Sequence, residues 1–162
     1  PASWIGSGEP GWVVALSPLF ALLWARLGDR APSTPHKFAL GVLGMGVAFW
    51  LFVPLAGTEG RAVPALWVLV IMAVFSMSEL LLSPIGLAVT TQLAPELFRA
   101  QMMALYFLSV ALGTSLSGMV ARYYGADHEF AYFGITGAVA ISMGLVVVVL
   151  SPWITRQMAG VR

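Results

Sequence analysis

The chain has 162 residues, of which 59% are hydrophobic and only 9% are charged, and its formal net charge is +1 at pH 7. Soluble domains carry about 25% charged residues, so this composition excludes a water-soluble fold of this size and predicts an all-α integral membrane protein. A net charge near zero gives no reason to expect a nucleic-acid partner. The sequence contains no cysteine, so it says nothing about a redox compartment.

Five apolar segments of the sequence are long enough to cross a bilayer as helices. Turn-rich polar stretches separate them, and we expect one membrane domain over residues 1–162. The predicted spans cover residues of about 11–27, 38–56, 64–92, 100–123 and 130–153. The opening PASWIGSGEPGW has neither an initiator Met nor a basic leader, which suggests a fragment of a longer protein.

The third segment is longer than a perpendicular crossing requires. At about 1.5 Å per residue it would reach about 43 Å, whereas the hydrocarbon core is about 30 Å thick. Pro84 frees the main-chain carbonyl of Leu80, so we expect a kink at this point of the helix.

Basic residues predict the direction of the spans, because they favour the cytoplasmic side. If the spans alternate, only Arg61 and Arg122 fall on one side of the membrane. The other six basic residues fall on the opposite side: Arg26, Arg30, Lys37, Arg99, Arg156 and Arg162. We therefore expect a multi-pass protein of the plasma membrane, which is the inner membrane in a cell that has two. The N-terminus of the chain would lie outside and its C-terminus in the cytoplasm.

Neither a metal site nor a catalytic site is indicated by the sequence. The two histidines, His36 and His128, fall in predicted loops, and no catalytic pair is present, so we expect no metal, no cofactor and no enzyme. GVLGMG (41–46) superficially resembles a nucleotide-binding loop, but it lies inside a span with no strand before it. Together with GTSLSG (113–118) and GITG (134–137) it indicates close helix packing.

Glu79 is the single ionisable residue well inside a predicted span. An unpaired carboxylate there costs several kcal/mol, so it should face a polar cavity or a partner, or keep its proton. By helical spacing it shares a face with Phe75, Ser76, Ser83 and Gly86, which predicts a polar stripe along a cavity. Such a group can bind a proton or an ammonium ligand. The alternative is a structural hydrogen bond to a neighbouring helix.

The other candidate residues each have two interpretations. Ser76 and Ser83 can bind a ligand or return a hydrogen bond to their own helix. Tyr106 can form a pocket wall or pack with its hydroxyl bonded to a neighbour. Glu9 precedes Pro10, where a carboxylate at a helix N-terminus is favoured by the helix dipole.

The stretch SELLLSPIGLAVTTQLAPELFRAQMMALYFLSVALGTSLSG (78–118) resembles the proton-dependent oligopeptide transporter (POT) family, the peptide symporters of the major facilitator superfamily. The family pattern is Glu, an apolar triplet, Ser-Pro, Gly-Leu, Lys/Gln-Leu-Ala-Pro, Met-Met and an aromatic residue. Residues that match it in order are Glu79, Ser83, Pro84, Gly86, Leu87, Gln92, Leu93, Ala94, Pro95, Met102, Met103 and Tyr106. SPLFALLWARLGDRAPSTPHKFALG (17–41) resembles the family's stretch before its ninth helix.

The resemblance implies that the five spans are helices eight to twelve, a partial C-terminal bundle of a twelve-helix transporter. It also implies that Glu79 pairs with the amino terminus of a peptide. Tyr106 would form a pocket wall at a position where the family usually has Trp. Glu9, in Gly6-Ser7-Gly8-Glu9-Pro10, stands where the family usually has a peptide-contacting Asn, which implies a cavity role for this second acid.

The resemblance further implies a function, namely a fragment of a proton-coupled di-/tripeptide symporter that works by alternating access. Its partners would be small peptides, protons, the lipid bilayer and the missing N-terminal helix bundle of the same protein, since five helices cannot alternate alone. One alternative is a major facilitator transporter of another small amino-bearing substrate, and another is a non-transporting membrane scaffold.

Overall fold

The computed structural model describes residues 2–56 and 64–158, except for the side chains of residues 2–9, 29 and 126. Over these residues the protein forms long helices joined by short 3₁₀ turns, and the prediction of an all-α fold with five membrane-crossing helices is confirmed. The helices are α1 (Ala2–Leu27), α2 (Thr34–Phe52), α3 (Ala65–Leu93), α4 (Arg99–Ala121) and α5 (Glu129–Gln157).

Local sequence explains where several helices begin and end. Gly28 follows α1 with a φ of +45°, a conformation that favours glycine. Helix α2 starts after Ser33 with Pro35 in its first turn, where a missing N–H costs nothing. His36 therefore lies in the first turn of α2, and its prediction as a loop residue was wrong. Helix α3 continues unbroken through Pro84 and ends before the extended Ala94 that precedes Pro95.

Helix α2 lies at the centre of the bundle, packed between α3 and α5, while α1 and α4 pack against α3. Glycines allow the closest approaches: a Cβ atom at Gly46 would lie 2.9 Å from the carbonyl oxygen of Gly137. The predicted close packing at 41–46 and at Gly137 is thus confirmed. At Gly113 and Gly118 of α4, by contrast, a Cβ atom would meet nothing within 4 Å among the described residues.

An aromatic cluster joins the three best-packed helices. The ring centres of Phe75 in α3 and Phe49 in α2 lie 5.3 Å apart in an edge-to-face arrangement. Phe52 stacks on Phe133 of α5 with 4.9 Å between the ring centres. Aromatic pairs in these geometries contribute about 0.5–1.5 kcal/mol beyond their buried area. Phe75 consequently faces the interior of the bundle.

Helix α4 has a very different environment, since none of its described residues is buried. Its apolar side chains are open to the surroundings, for example Leu105 and Phe107, each with 57% of its surface exposed. An apolar surface of this extent is suited to lipid or to further membrane helices.

Candidate functional site

Glu79 lies in the middle of α3 with its side chain exposed. Its carboxylate makes no ion pair or hydrogen bond with any residue that the structure describes. Ser83, one turn further along α3, is exposed on the same side. The two residues therefore present an acid and a hydroxyl to the open side of the helix, where a ligand or a further helix has access to both.

The predicted polar stripe is divided in the structure. Ser76 is fully buried at 0% exposure, and its side chain has an interaction partner. Ser78, which the helical pattern did not single out, is also buried at 2% exposure, donates a 2.8 Å hydrogen bond to the carbonyl of Val74, and packs against Gly44 of α2. Ser76 thus belongs to the helix packing, while Glu79 and Ser83 remain accessible.

Tyr106 of α4 packs directly against the main chain of α3. A Cβ atom at Gly86 would lie 3.0 Å from Cε2 and 3.2 Å from the hydroxyl oxygen of Tyr106. The hydroxyl of Thr90 donates a 2.8 Å hydrogen bond to the Gly86 carbonyl, and the hydroxyl of Ser109 donates one of 2.7 Å to the carbonyl of Tyr106. Each of the two helices that meet at this contact, α3 and α4, therefore carries one side-chain hydrogen bond to its own main chain at the contact point.

A largely apolar cavity of about 430 Å³ lies where α2 begins and α5 ends. Tyr106 and Gly86 line it, together with residues of α2, α3 and α5 such as Phe38, Val89 and Ile154. Glu79, Ser76 and Ser83 are not part of its wall. The structure therefore brings Tyr106 and Gly86 together but does not place Glu79 in the same cavity.

Glu9 lies in α1, the helix that packs against α3. The structure describes its main chain but not its side chain. Its cavity role stays a prediction.

A polar network that the sequence did not reveal links α2 to α5. Nδ1 of His36 lies 2.7 Å from Oγ of Ser33 and 2.6 Å from Oγ of Ser151, and Ser151 is fully buried. Thr155 donates a 2.8 Å hydrogen bond to the Ser151 carbonyl and lies 3.4 Å from the Ser33 hydroxyl. Part of this network could have been predicted from the Ser-x-x-His spacing of Ser33 and His36, because residues three apart on a helix are neighbours.

The basic residues gather at one end of the bundle. The cavity places the start of α2 beside the ends of α3 and α5, and Lys37 lies 4.5 Å from the ring centre of Trp24 at the end of α1. Among the described residues this end carries Arg26, Arg30, Lys37, Arg99 and Arg156. Arg122 lies at the opposite end.

Known proteins similar to this chain are transporters. The model of the POT family (PTR2) matches residues 1–135. The uncharacterized transporter YclF of Bacillus subtilis (strain 168) is 41% identical over 162 residues, and the match covers 99% of this chain and 33% of that protein. A di-/tripeptide transporter of Lactococcus lactis subsp. cremoris is 39% identical over 163 residues, with 99% of this chain and 33% of that protein covered.

Solved structures similar to this chain are also those of transporters. A crystal structure of a mutant of the peptide transporter POT in complex with alafosfalin superposes with a TM-score of 0.87 at 39% identity. The match covers 95% of this chain and 32% of that one, so the chain spans about a third of the length of these relatives. The family model covers most of the chain, and the chain belongs to the POT family.

Proposed function

We propose that the chain is part of a proton-coupled symporter of di- and tripeptides, in which Glu79 binds the amino terminus of the peptide. The observation that carries this proposal is the exposed carboxylate of Glu79 in the middle of a membrane-crossing helix of a POT-family chain. A carboxylate in this setting is costly unless water or a cation reaches it. The name of the Lactococcus lactis relative, a di-/tripeptide transporter, supports a peptide ammonium as that cation.

In the proposed mechanism Glu79 responds to two positive charges, that of the peptide and that of the proton. An ammonium group and a carboxylate attract each other by about 4 kcal/mol at 4 Å in a medium of intermediate polarity. Protonation of Glu79 removes the negative charge, weakens the pairing and releases the peptide. An inward proton gradient would then drive accumulation of the substrate.

The remaining parts of the cycle belong to the rest of the protein. Alternating access needs two helix bundles that rock about a central site. We propose that the five helices are helices eight to twelve and that an N-terminal bundle of the same protein completes the site against α1, α3 and α4. The exposed apolar surface of α4 supports this proposal, because such a surface is suited to contact with further membrane helices.

The orientation that we propose follows from the basic end of the bundle. The positive-inside rule puts this end in the cytoplasm of a plasma-membrane protein. The N-terminus of the chain then lies outside and its C-terminus inside.

Uptake by the full-length protein in proteoliposomes tests the role of Glu79. Glu79→Gln keeps the size of the side chain and removes its charge, so it should raise the KM for dialanine by about 10- to 100-fold, since a hydrogen bond to a charged group contributes about 1.5–3 kcal/mol. Glu96→Gln is the matched control, because Glu96 is 90% exposed beyond the end of α3. Unchanged proton-driven accumulation in the Glu79→Gln protein would overturn the assignment.

The same experiment separates the alternatives. If the wild-type protein takes up other small amino-bearing compounds but no peptide, the substrate class is wrong while the transport function stands. If it takes up neither, the chain is part of a membrane scaffold.

A further inference from the structure

We propose that Gly41 and Gly44 of α2 are positioning residues, which set the direction of the Glu79 side chain by letting α3 lie close against α2. This inference rests on the proposed function of Glu79 and adds to it two residues that act on the site from a neighbouring helix. It predicts that a side chain at either glycine moves α3 and weakens peptide binding, whereas a side chain at a glycine that faces another helix does not.

The contact at Gly44 involves the residue that directly precedes Glu79. A Cβ atom at Gly44 would collide with the hydroxyl oxygen of Ser78, and it would lie 3.5 Å from the Cβ atom of the same serine. Ser78 is 2% exposed, and its hydroxyl donates a 2.8 Å hydrogen bond to the carbonyl of Val74. Turning the hydroxyl away would break this hydrogen bond in a buried place, so a methyl group added at Gly44 presses on α3 itself.

The second close contact lies one turn earlier in α2, at Gly41. A Cβ atom there would lie 2.7 Å from Cγ of Leu82 and 3.1 Å from Cβ of Leu81. Carbon atoms that are not bonded to each other rest about 3.5–4.0 Å apart, so an alanine at Gly41 requires α3 to shift by about 0.5–1 Å. The Cβ atom of Leu81 is bonded directly to the main chain, and no change of side-chain torsion can move it out of the way.

The two contacts lie on either side of Glu79 along α3. Ser78 comes one residue before it, and Leu81 and Leu82 come two and three residues after it. Successive residues of an α-helix are separated by about 1.5 Å along the axis and by about 100° around it. Because a single helical turn moves as one unit, a shift or rotation of α3 at these contacts also moves the Glu79 side chain. A misplacement of about 1 Å can lower a rate about 100-fold.

Uptake of dialanine by the full-length protein in proteoliposomes tests the role of Gly44. Gly44→Ala should raise the KM for dialanine at least about fivefold, because the Glu79 carboxylate no longer lies where the ammonium group binds. The double variant Gly44→Ala/Ser78→Ala removes the colliding hydroxyl and leaves the two Cβ atoms at an ordinary distance of 3.5 Å. It should return the KM to within about twofold of the wild-type value. A KM that stays raised in the double variant overturns the inference.

Gly46→Ala is the matched control, because it adds a methyl group to the same helix but against α5 instead of α3. A Cβ atom at Gly46 would lie 2.6 Å from Cγ1 of Ile141 and 2.9 Å from the carbonyl oxygen of Gly137. This variant should lower the melting temperature, as Gly44→Ala does, and should leave the KM for dialanine unchanged. If Gly44 has a merely structural role, the two variants raise the KM equally, and that result overturns the inference.

Gly41→Ala tests the second contact and should raise the KM for dialanine by a factor similar to that of Gly44→Ala. If Gly44→Ala does not fold, a wild-type KM in Gly41→Ala overturns the inference alone.

Failure of the proposed function has a different signature, namely unaltered dialanine uptake by Glu79→Gln. The direction of the side chain at position 79 can be measured without transport, because the chain contains no cysteine. In the full-length protein, freed of any other cysteine, a maleimide should label Glu79→Cys at a different rate once Gly44→Ala is added, and Ser78→Ala should restore the original rate. Equal rates with and without Gly44→Ala overturn the inference.

Discussion

The indole nitrogen of Trp50 in α2 donates a 3.2 Å hydrogen bond to the main-chain carbonyl of Gly134 in α5. One turn further along α5, Gly137 leaves room for the same indole ring, and a Cβ atom there would collide with Trp50. The large side chain of α2 and the missing side chain of α5 are thus complementary. The fit of Trp50 against Gly137 therefore stabilises the interface between α2 and α5, the most extensively packed one in the bundle.

Gly137→Ala should destabilise the protein by about 1–3 kcal/mol, because the added methyl group overpacks the contact with Trp50. The melting temperature of the full-length protein in detergent measures the effect. Gly134→Ala, three residues away in the same helix, should be neutral or slightly stabilising, since its Cβ atom has free space and alanine favours helices. Equal melting temperatures for the two variants would contradict the packing that we describe.

The hydrogen bond between His36 and Ser151 should contribute about 1 kcal/mol to stability, the typical net value for such a bond. Ser151→Ala and His36→Ala should each lower the melting temperature, and the double variant should lose less than the sum of the two. Ser142→Ala is a matched control, because the exposed Ser142 hydroxyl donates its hydrogen bond to the carbonyl of Ala138 in its own helix. Strict additivity of the His36 and Ser151 effects would show that the two side chains do not interact.

The pKa of Tyr124 should be raised above its ordinary value of about 10, because its hydroxyl donates a 2.8 Å hydrogen bond to the Glu129 carboxylate. Both residues lie at the turn between α4 and α5. A raised pKa in the folded state means that the stabilising effect is complete below about pH 10 and is lost as the pH rises through the folded-state value. Ultraviolet titration of tyrosinate, compared with Tyr124→Phe, measures this pKa. Glu129→Gln should lower it, and an unchanged value in that variant would exclude the carboxylate as its cause.

Cysteine labelling tests the proposed orientation cleanly, because the chain contains no cysteine. Asp127→Cys lies at the turn between α4 and α5, and Leu97→Cys, at a position that is 90% exposed, lies at the turn between α3 and α4. In intact cells that express the full-length protein, freed of any other cysteine, a membrane-impermeant maleimide should label the first variant. It should label the second only after permeabilisation, and the reverse pattern would invert the topology.

The existence of the helices could be predicted from the sequence, because five long apolar segments have few other ways to satisfy their main-chain hydrogen bonds in a membrane. The environment of single residues on α3 was harder to predict. Helical spacing groups Ser76 with Glu79, but it does not say how wide the buried sector of α3 is. In the structure Ser76 is buried, whereas Glu79 is exposed.

Contacts between helices could not be derived from spacing along one helix. The packing of Tyr106 against Gly86 depends on how α4 lies against α3, and the link from His36 to Ser151 joins residues 115 positions apart. His36 was placed in a loop because its neighbours are polar and proline-rich. Those same residues, Ser33 and Pro35, are typical of a helix start, and they extend α2 to include it.

The pairing of α2 with α5 has a consequence for biosynthesis. Residues 53–128, 76 in all, separate the end of α2 from the start of α5. A ribosome working at about 5–20 residues per second therefore begins the partner helix roughly 4–15 s later. During that interval Leu43, Gly46 and Trp50 of α2 lack the α5 surface formed by Gly137 and Gly144, against which they pack in the folded protein. The most extensively packed interface of the bundle therefore forms last, and a chain that stops before Glu129 carries an α2 helix with no α5 partner.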